Sequence, residues 1–273
     1  MTAAGANADQ IAYWNGVAGE KWTTAQERLD AMLSSISARV IGELAPASGE
    51  RILDIGCGCG ETTIALGRAG ARPTGIDISR PMLDRARSRA PDTEFLLADA
   101  ATHTFNPEFD ALFSRFGVMF FDDPDAAFVN LRKALKQGGR LVFACWRDWR
   151  ENEWVSLPVS AVRNLVPPQP QLGPEAPGPF AFADLARVRR ILSGAGFDRI
   201  TATPFDAALS MGESLPDAIR HLAEIGPVSR MLADAAPDER ASALAALEER
   251  LKPLATSNPV TLGGAVWIIS ARA

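Results

Sequence analysis

The sequence predicts an α/β fold in which a mostly parallel sheet carries helices on both faces. Three observations point to it. Residues 52–60, Ile52-Leu53-Asp54-Ile55-Gly56-Cys57-Gly58-Cys59-Gly60, run from an apolar segment through an acid into alternating glycines. About twenty residues later a second apolar stretch closes on another acid, Gly75-Ile76-Asp77. Short apolar runs then alternate with segments of helical period as far as residue 147, and such alternation is how βαβ units read in sequence.

In chain order, residues 7–45 read as helical. Leu29, Leu33, Ile36, Val40 and Leu44 recur every three or four positions and make one apolar stripe, which Pro46 and Gly49 close. Strands are predicted at 51–55, 73–77, 94–97, 109–114 and 140–145. Between them lie helices at 61–70, at 81–89 with Ser79 as N-cap, and at 124–137. The last has Asp123 as cap, Pro124 in its first turn, Phe128, Leu131 and Leu135 as its buried stripe, and Gly138-Gly139 as its stop. After Trp146 the character changes. Residues 147–181 hold Trp149, Trp154 and the proline run from Pro167 to Pro179, and read as an insertion rather than a sheet element. A helix at 182–194 and a strand near 198–203 resume the alternation, 213–252 is helical and alanine-rich, and Ala265–Ile269 makes a seventh strand. The expected organisation is a single domain over 1–273. It has an N-terminal helical cap (1–45), a ligand-binding core (46–147) and two lid insertions (148–181 and 212–258).

The glycine turn and the acid after it build a nucleoside crevice at the carboxyl ends of parallel strands. Which nucleoside follows from charge. A dinucleotide turn of the form G-x-G-x-x-G would need glycine at position 61, and this chain has Glu61 there. Asp54 and Glu61 would oppose a pyrophosphate in a poorly solvated site. No Gly-Lys-Ser/Thr occurs, so a phosphate-binding P-loop is excluded. A ligand with a positive centre and no phosphate suits the site better, and S-adenosylmethionine is such a ligand, its ribose diol matching a carboxylate at Asp77.

Four segments in this order, Asp54-Ile-Gly-Cys-Gly-Cys-Gly, Gly75-Ile-Asp77-Ile-Ser, Leu97-Ala-Asp99-Ala and Leu135-Lys-Gln-Gly-Gly-Arg-Leu-Val-Phe, resemble the successive motifs of class I S-adenosylmethionine-dependent methyltransferases. The chain is most similar to the small-molecule methyltransferases of the ubiquinone/menaquinone-biosynthesis type, well over residues 10–147 and loosely beyond. The resemblance implies a Rossmann-like, seven-stranded, mostly parallel sheet, with lid insertions on the ligand side. It implies S-adenosylmethionine as cofactor and S-adenosylhomocysteine as product. Its cofactor residues carry over to Asp54, Gly56, Cys57, Gly58, Gly60, Asp77, Ile78, Asp99, Ala100 and Ser114. Nucleic-acid amino-methyltransferases place an Asn or Asp with two prolines and an aromatic where this chain has Ser114-Arg115-Phe116-Gly117, which counts against a base as acceptor.

Methyl transfer from a sulfonium is an in-line displacement that needs water excluded and the acceptor held close. Tyr13, Trp14, Trp22, Phe116, Trp146, Trp149 and Trp154 are the expected walls of an apolar acceptor pocket. That suits a planar aromatic, a quinone-like molecule or an apolar thiol. No general base declares itself: His103, His221 and Arg115 are the candidates, and a thiolate or ionised phenol needs none. A non-catalytic S-adenosylmethionine-binding sensor or partner subunit is the competing reading.

The 273 residues carry a formal net charge of −5, which argues against a nucleic-acid surface. Arg85, Arg87 and Arg89 spread around a helix and read as a solvated face. No apolar stretch is long enough to span a membrane. Residues 1–10 lack the pattern of a signal peptide, and Cys57, Cys59 and Cys145 suggest neither a disulfide framework nor a metal site. The chain is therefore expected in the cytoplasm, as a monomer or homodimer acting on a small-molecule acceptor.

Overall fold

The structure is a computed structural model and describes residues 7–169, 173, 175–256 and 259–273. The N-terminal residues 1–6, four residues of the proline run (170–172 and 174) and 257–258, at the end of the expected second insertion, lie outside the described residues. The chain begins with helices α1 (Ala8–Asn15), α2 (Val17–Thr24) and α3 (Gln26–Leu44). It then alternates through β1 (Arg51–Ile55), α4 (Glu61–Arg68), β2 (Arg72–Asp77), α5 (Arg80–Arg89), β3 (Glu94–Leu97), β4 (Phe109–Arg115), α6 (Pro124–Arg132) and β5 (Leu135–Trp146). The remainder comprises α7 (Glu153–Val162), α8 (Leu185–Gly194), β6 (Asp198–Gly212), α9 (Leu215–Glu224), α10 (Pro227–Met231), α11 (Pro237–Leu251) and β7 (Val260–Arg272).

The strands form one seven-stranded sheet in the order β3-β2-β1-β4-β5-β7-β6. The first five run parallel, and β7 pairs antiparallel with both β5 and β6. This is the seven-stranded, mostly parallel sheet expected. Its central strands are buried on both faces, which is why Ile52, Leu53, Ala111, Leu112, Phe113 and Leu141–Cys145 form near-continuous apolar runs. The strand order reverses between β1 and β4, so the loops leaving these strands diverge and leave a crevice at their carboxyl ends. The α3 stripe is buried as expected: Leu29, Leu33, Ile36, Val40 and Leu44 are all at most 3% exposed.

Several boundaries differ from the sequence expectation, each for a physical reason. Helix α6 ends at Arg132, not 137, because the Ala134 carbonyl is taken by the N–H groups of Glu108 and Phe109, which recruits Leu135 into β5. Gly138 and Gly139 then sit at a register shift in β5 instead of stopping a helix. Asp123 does cap α6, accepting from the Ala126 N–H at 2.9 Å. Ser79 occupies the N-cap position of α5 but makes no capping bond; its hydroxyl donates to the Trp14 carbonyl at 2.7 Å. Strands β6 and β7 are far longer than the predicted 198–203 and 265–269, because they pair with each other from Asp198↔Arg272 to Gly212↔Val260. The stretch after Trp146 holds a helix, α7, despite Pro158 within it.

Candidate active site

At the carboxyl ends of β1 and β4 two backbones touch. A Cβ added at Gly56, whose φ is +67°, would lie 2.6 Å from the Gly117 Cα, and one added at Gly117 would lie 2.5 Å from the Ile55 carbonyl oxygen. Only glycine fits either position. Between them the chain turns through Phe116, at φ +68°, a conformation costly for a side chain of that size. The turn presents the Phe116 ring flat against Trp146, with centroids 4.2 Å apart and planes 7° from parallel.

The crevice opens into a cavity of about 340 Å³, within the usual range for small-molecule sites. One end is lined by Gly56, Gly58, Asp77, Ile78, Asp99 and Ala100. The other is lined by Phe116, Trp146, Trp154, Met211, His221 and Leu222. Tyr13, Trp14 and Trp22, from α1 and α2, close the side; Trp14 packs edge-on against Tyr13, Trp22 and Phe120. Hydrogen bonds tie these helices to the loop after β2: Asn15 donates to the Ile78 carbonyl and accepts from the Arg80 N–H, each at 2.9 Å.

Asp77 ties the glycine turn after β1 to the loop after β2. One carboxylate oxygen accepts from the Gly58 N–H and the other from the Ser79 N–H, each at 2.8 Å. Burial raises its pKa, and the N–H groups of Ser79, Gly58 and Ile78 oppose that rise. At Asp99, the Asn7 amide donates to both carboxylate oxygens at 2.9 Å and accepts from the Asp122 N–H at 2.7 Å.

Several expected site residues lie off the cavity wall. Asp54 is fully buried beneath the glycine turn, where Thr62 and Thr63 donate to one oxygen at 2.7 and 2.6 Å and the other has no partner. Burial lifts its carboxyl to about 6 against those hydroxyl bonds. Ser114 is also fully buried; it donates to the Ile55 carbonyl at 2.7 Å and accepts from the Gly117 N–H at 3.1 Å, so it braces the β1–β4 contact from behind. A Cβ at Gly60 would meet Ala86 and Phe95, away from the cavity. Cys57 packs with Leu83, Ala86 and Phe95 and lines only a smaller adjoining cavity of about 60 Å³. Trp149 is 37% exposed beneath the Arg150 guanidinium, because the short turn it occupies points it outward. His103 packs edge-on against Phe105, off the cavity.

Arg115 lines both cavities but is bound to Glu61 and Ser37, each at 2.6 Å. The Glu61 charge is therefore compensated, and Asp54 is sequestered. The electrostatic case against a pyrophosphate is weaker than the sequence implied; the aromatic enclosure beside the glycine turn is the stronger discriminant. His221, on α9, is 5% exposed and faces the aromatic end; burial and the nearby Arg28 pull its pKa down to about 4, with Asp217 opposing. Sequence reasoning missed Asn7, Gly117, Phe120 and Met211. Gly117 had a signal, as the glycine directly after a strand-end aromatic. Asn7 and Met211 had none, since long-range packing alone brings them in.

Residues 53–143 match the family described as "Methyltransferase domain". Over these residues, a third of the chain, it is similar to methyltransferases. A demethylmenaquinone methyltransferase of Clavibacter sepedonicus is 37% identical over 124 residues, 44% of this chain and 47% of the relative. An O-methyltransferase of Penicillium expansum is 33% identical over 142 residues, 49% of each chain. The chain thus spans about half the length of the curated relatives it matches. In fold, it resembles phosphoethanolamine N-methyltransferase 2 of Haemonchus contortus in complex with S-adenosyl-L-methionine. The TM-score is 0.58 and the identity 17%, over 96% of this chain and 59% of that one. The similarity over this segment to a demethylmenaquinone methyltransferase agrees with the four sequence motifs.

Proposed function

We propose that this methyltransferase domain binds S-adenosylmethionine and transfers its methyl group to a small, partly apolar acceptor. The observation that carries this reading is the single cavity joining a carboxylate-bearing nucleoside end to an aromatic chamber. A nucleoside sensor needs the first end only. Methyl transfer needs both, in one enclosure that keeps water away from the reacting centre.

The residues present fit the donor. Asp77 would take the ribose hydroxyls, Ile78, Asp99 and Ala100 would flank the base, and the turn at Gly56 and Gly58 leaves room that side chains would fill. The donor, once bound, supplies an electrophilic methyl on a sulfonium. The faces of Phe116, Trp146 and Trp154 suit both a positive centre and a planar acceptor. In this reading residues 148–181 and 212–258 form the lid and 1–45 the opposing cap. With a formal net charge of −5, the acceptor is a small molecule rather than a nucleic acid. Among the described residues no helix is long and apolar enough to cross a membrane; we place the protein in the cytoplasm, as a monomer or homodimer.

The test is transfer of labelled methyl from S-adenosylmethionine to a panel of planar phenols, quinols and apolar thiols. Label in one of these classes supports the reading. Label found only in nucleic acid or protein contradicts it.

A further inference from the structure

The cavity's polar side chains are mostly committed to the fold. Both Asp77 oxygens are held by backbone N–H groups. Asp99 is held by Asn7 and by the Ala101 N–H. Arg115 is paired with Glu61. His221 differs: it lines the aromatic chamber, yet neither ring nitrogen has a hydrogen-bond partner among the described residues. Its ring nitrogens are not among the fully buried unpartnered atoms, so they open on the cavity, where water or a ligand's polar atom can bond them.

Helix α9 is positioned firmly enough to aim the ring. Ser214 caps it by accepting from the Asp217 N–H. Arg28 of α3 ties its first turn down, donating to the Asp217 side chain at 2.9 Å and to the Asp217 carbonyl at 3.2 Å. Beside His221 in the chamber lie Trp154, Met211 and Leu222; Gln10 and Arg230 also line the cavity without a side-chain partner among the described residues, but His221 is the buried one of the three and the one set among apolar side chains.

We propose that His221 is the proton acceptor for a hydroxyl substrate, which makes a planar phenol the acceptor class. This rests on the methyl-transfer reading above and adds which atom is methylated. The step balances without another reactant. The hydroxyl oxygen forms a bond to the methyl carbon, the C–S electron pair stays on sulfur, and the hydroxyl proton passes to the imidazole. Net charge in the site is unchanged, since the positive charge leaves the sulfonium and appears on the imidazolium. A weakly basic imidazole suffices, because a methylated, still protonated phenol oxygen is far more acidic than an imidazolium. Before transfer the neutral ring accepts the hydroxyl hydrogen bond and turns an oxygen lone pair toward the donor.

Two readouts test this on the full chain. The first is donor-free. The chain has two histidines, so the His221 ring signal in an NMR spectrum is identified by its loss in His221→Gln. Naphthol should shift that signal and methylnaphthalene, which has no hydroxyl, should not; equal shifts or none would overturn the proposal. The second compares turnover of naphthol with that of naphthalenethiol, which ionises at mildly alkaline pH and needs no base. His221→Gln should lower the naphthol-to-thiol turnover ratio by about 100-fold, the lower range for general-base catalysis, while S-adenosylhomocysteine affinity stays at the parental value. A parental ratio in the variant overturns the role of His221. Parent protein that methylates only the thiol overturns the phenol assignment but leaves methyl transfer intact. Absence of S-adenosylhomocysteine binding by the parent would instead fell the underlying reading, and this proposal with it.

Discussion

Asp77 Oδ2 accepts the Gly58 N–H at 2.8 Å, so the carboxylate at the end of β2 fixes the glycine turn at the end of β1. With its other oxygen on the Ser79 N–H at 2.8 Å, Asp77 is part of the scaffold as well as the cavity wall. A strand-end acid that made no such bonds could be removed without harm to the fold. Asp77→Ala instead leaves two N–H groups without their acceptor. We expect a loss of about 2 kcal/mol in stability and on the order of 2–4 kcal/mol in S-adenosylhomocysteine affinity. Urea unfolding and calorimetry measure the two separately. Parental values for both would mean that neither the turn nor the ligand depends on this carboxylate.

The Gly56–Gly117 contact makes a sharper prediction. Gly56→Ala drives a methyl group into backbone 2.6 Å away and should cost about 3 kcal/mol. Gly42→Ala, on the exposed face of helix α3 with nothing within 4 Å, should instead add roughly 0.5–1 kcal/mol. Equal melting temperatures for the two variants would contradict the close approach.

The pH dependence of stability follows from two buried groups of opposite sign. Asp54 sits at about 6 against an ordinary 3.8, with Arg115 and Glu61 nearby. Between those values the folded chain holds a proton the unfolded chain has lost, so this contribution fades as pH rises through 6. His221 sits at about 4 against an ordinary 6.5, with Arg28 and Asp217 nearby. Between those values the unfolded chain holds the extra proton, so this contribution grows as pH rises. Relative to the parent, the stability curve of His221→Gln should tilt downward with rising pH between about 4 and 6, and that of Asp54→Asn upward, each by up to about 1.4 kcal/mol per pH unit. Urea unfolding across this window tests it; parallel curves would refute the opposed pair.

Trp149 and Trp154 separate wall from surface. Trp154 lines the chamber, and its indole N–H donates to Asn152 at 3.1 Å; Trp149 is out in solvent. Trp154→Ala should raise the KM for the acceptor about tenfold, the loss of a modest aromatic contact, and Trp149→Ala should leave it unchanged. A matching rise in both would show that Trp149 swings inward when the acceptor binds.

Local signals made much of this legible. The β1 and β3 boundaries matched, and so did the buried stripe of α3, because period and punctuation are written in neighbouring residues. Asp77, Gly58 and Phe116 were findable at strand ends for the same reason. What escaped depends on partners distant in sequence. Strand β6 is extended by β7, more than fifty residues later. Asn7 meets Asp99 across ninety-two positions. Ser114 and Asp54 occupy strand-end positions that promise ligand contact, yet bond inward. Trp149 and Trp154 stand five residues apart and face opposite ways, a difference no composition argument resolves.

In the proposed reading, the cavity holds the S-adenosyl donor next to an aromatic acceptor chamber. Calorimetric titration of the parent with S-adenosylhomocysteine, and in parallel with NAD, tests it most directly. Saturable binding of S-adenosylhomocysteine and no measurable binding of NAD are expected. Saturable NAD binding without S-adenosylhomocysteine binding would contradict it.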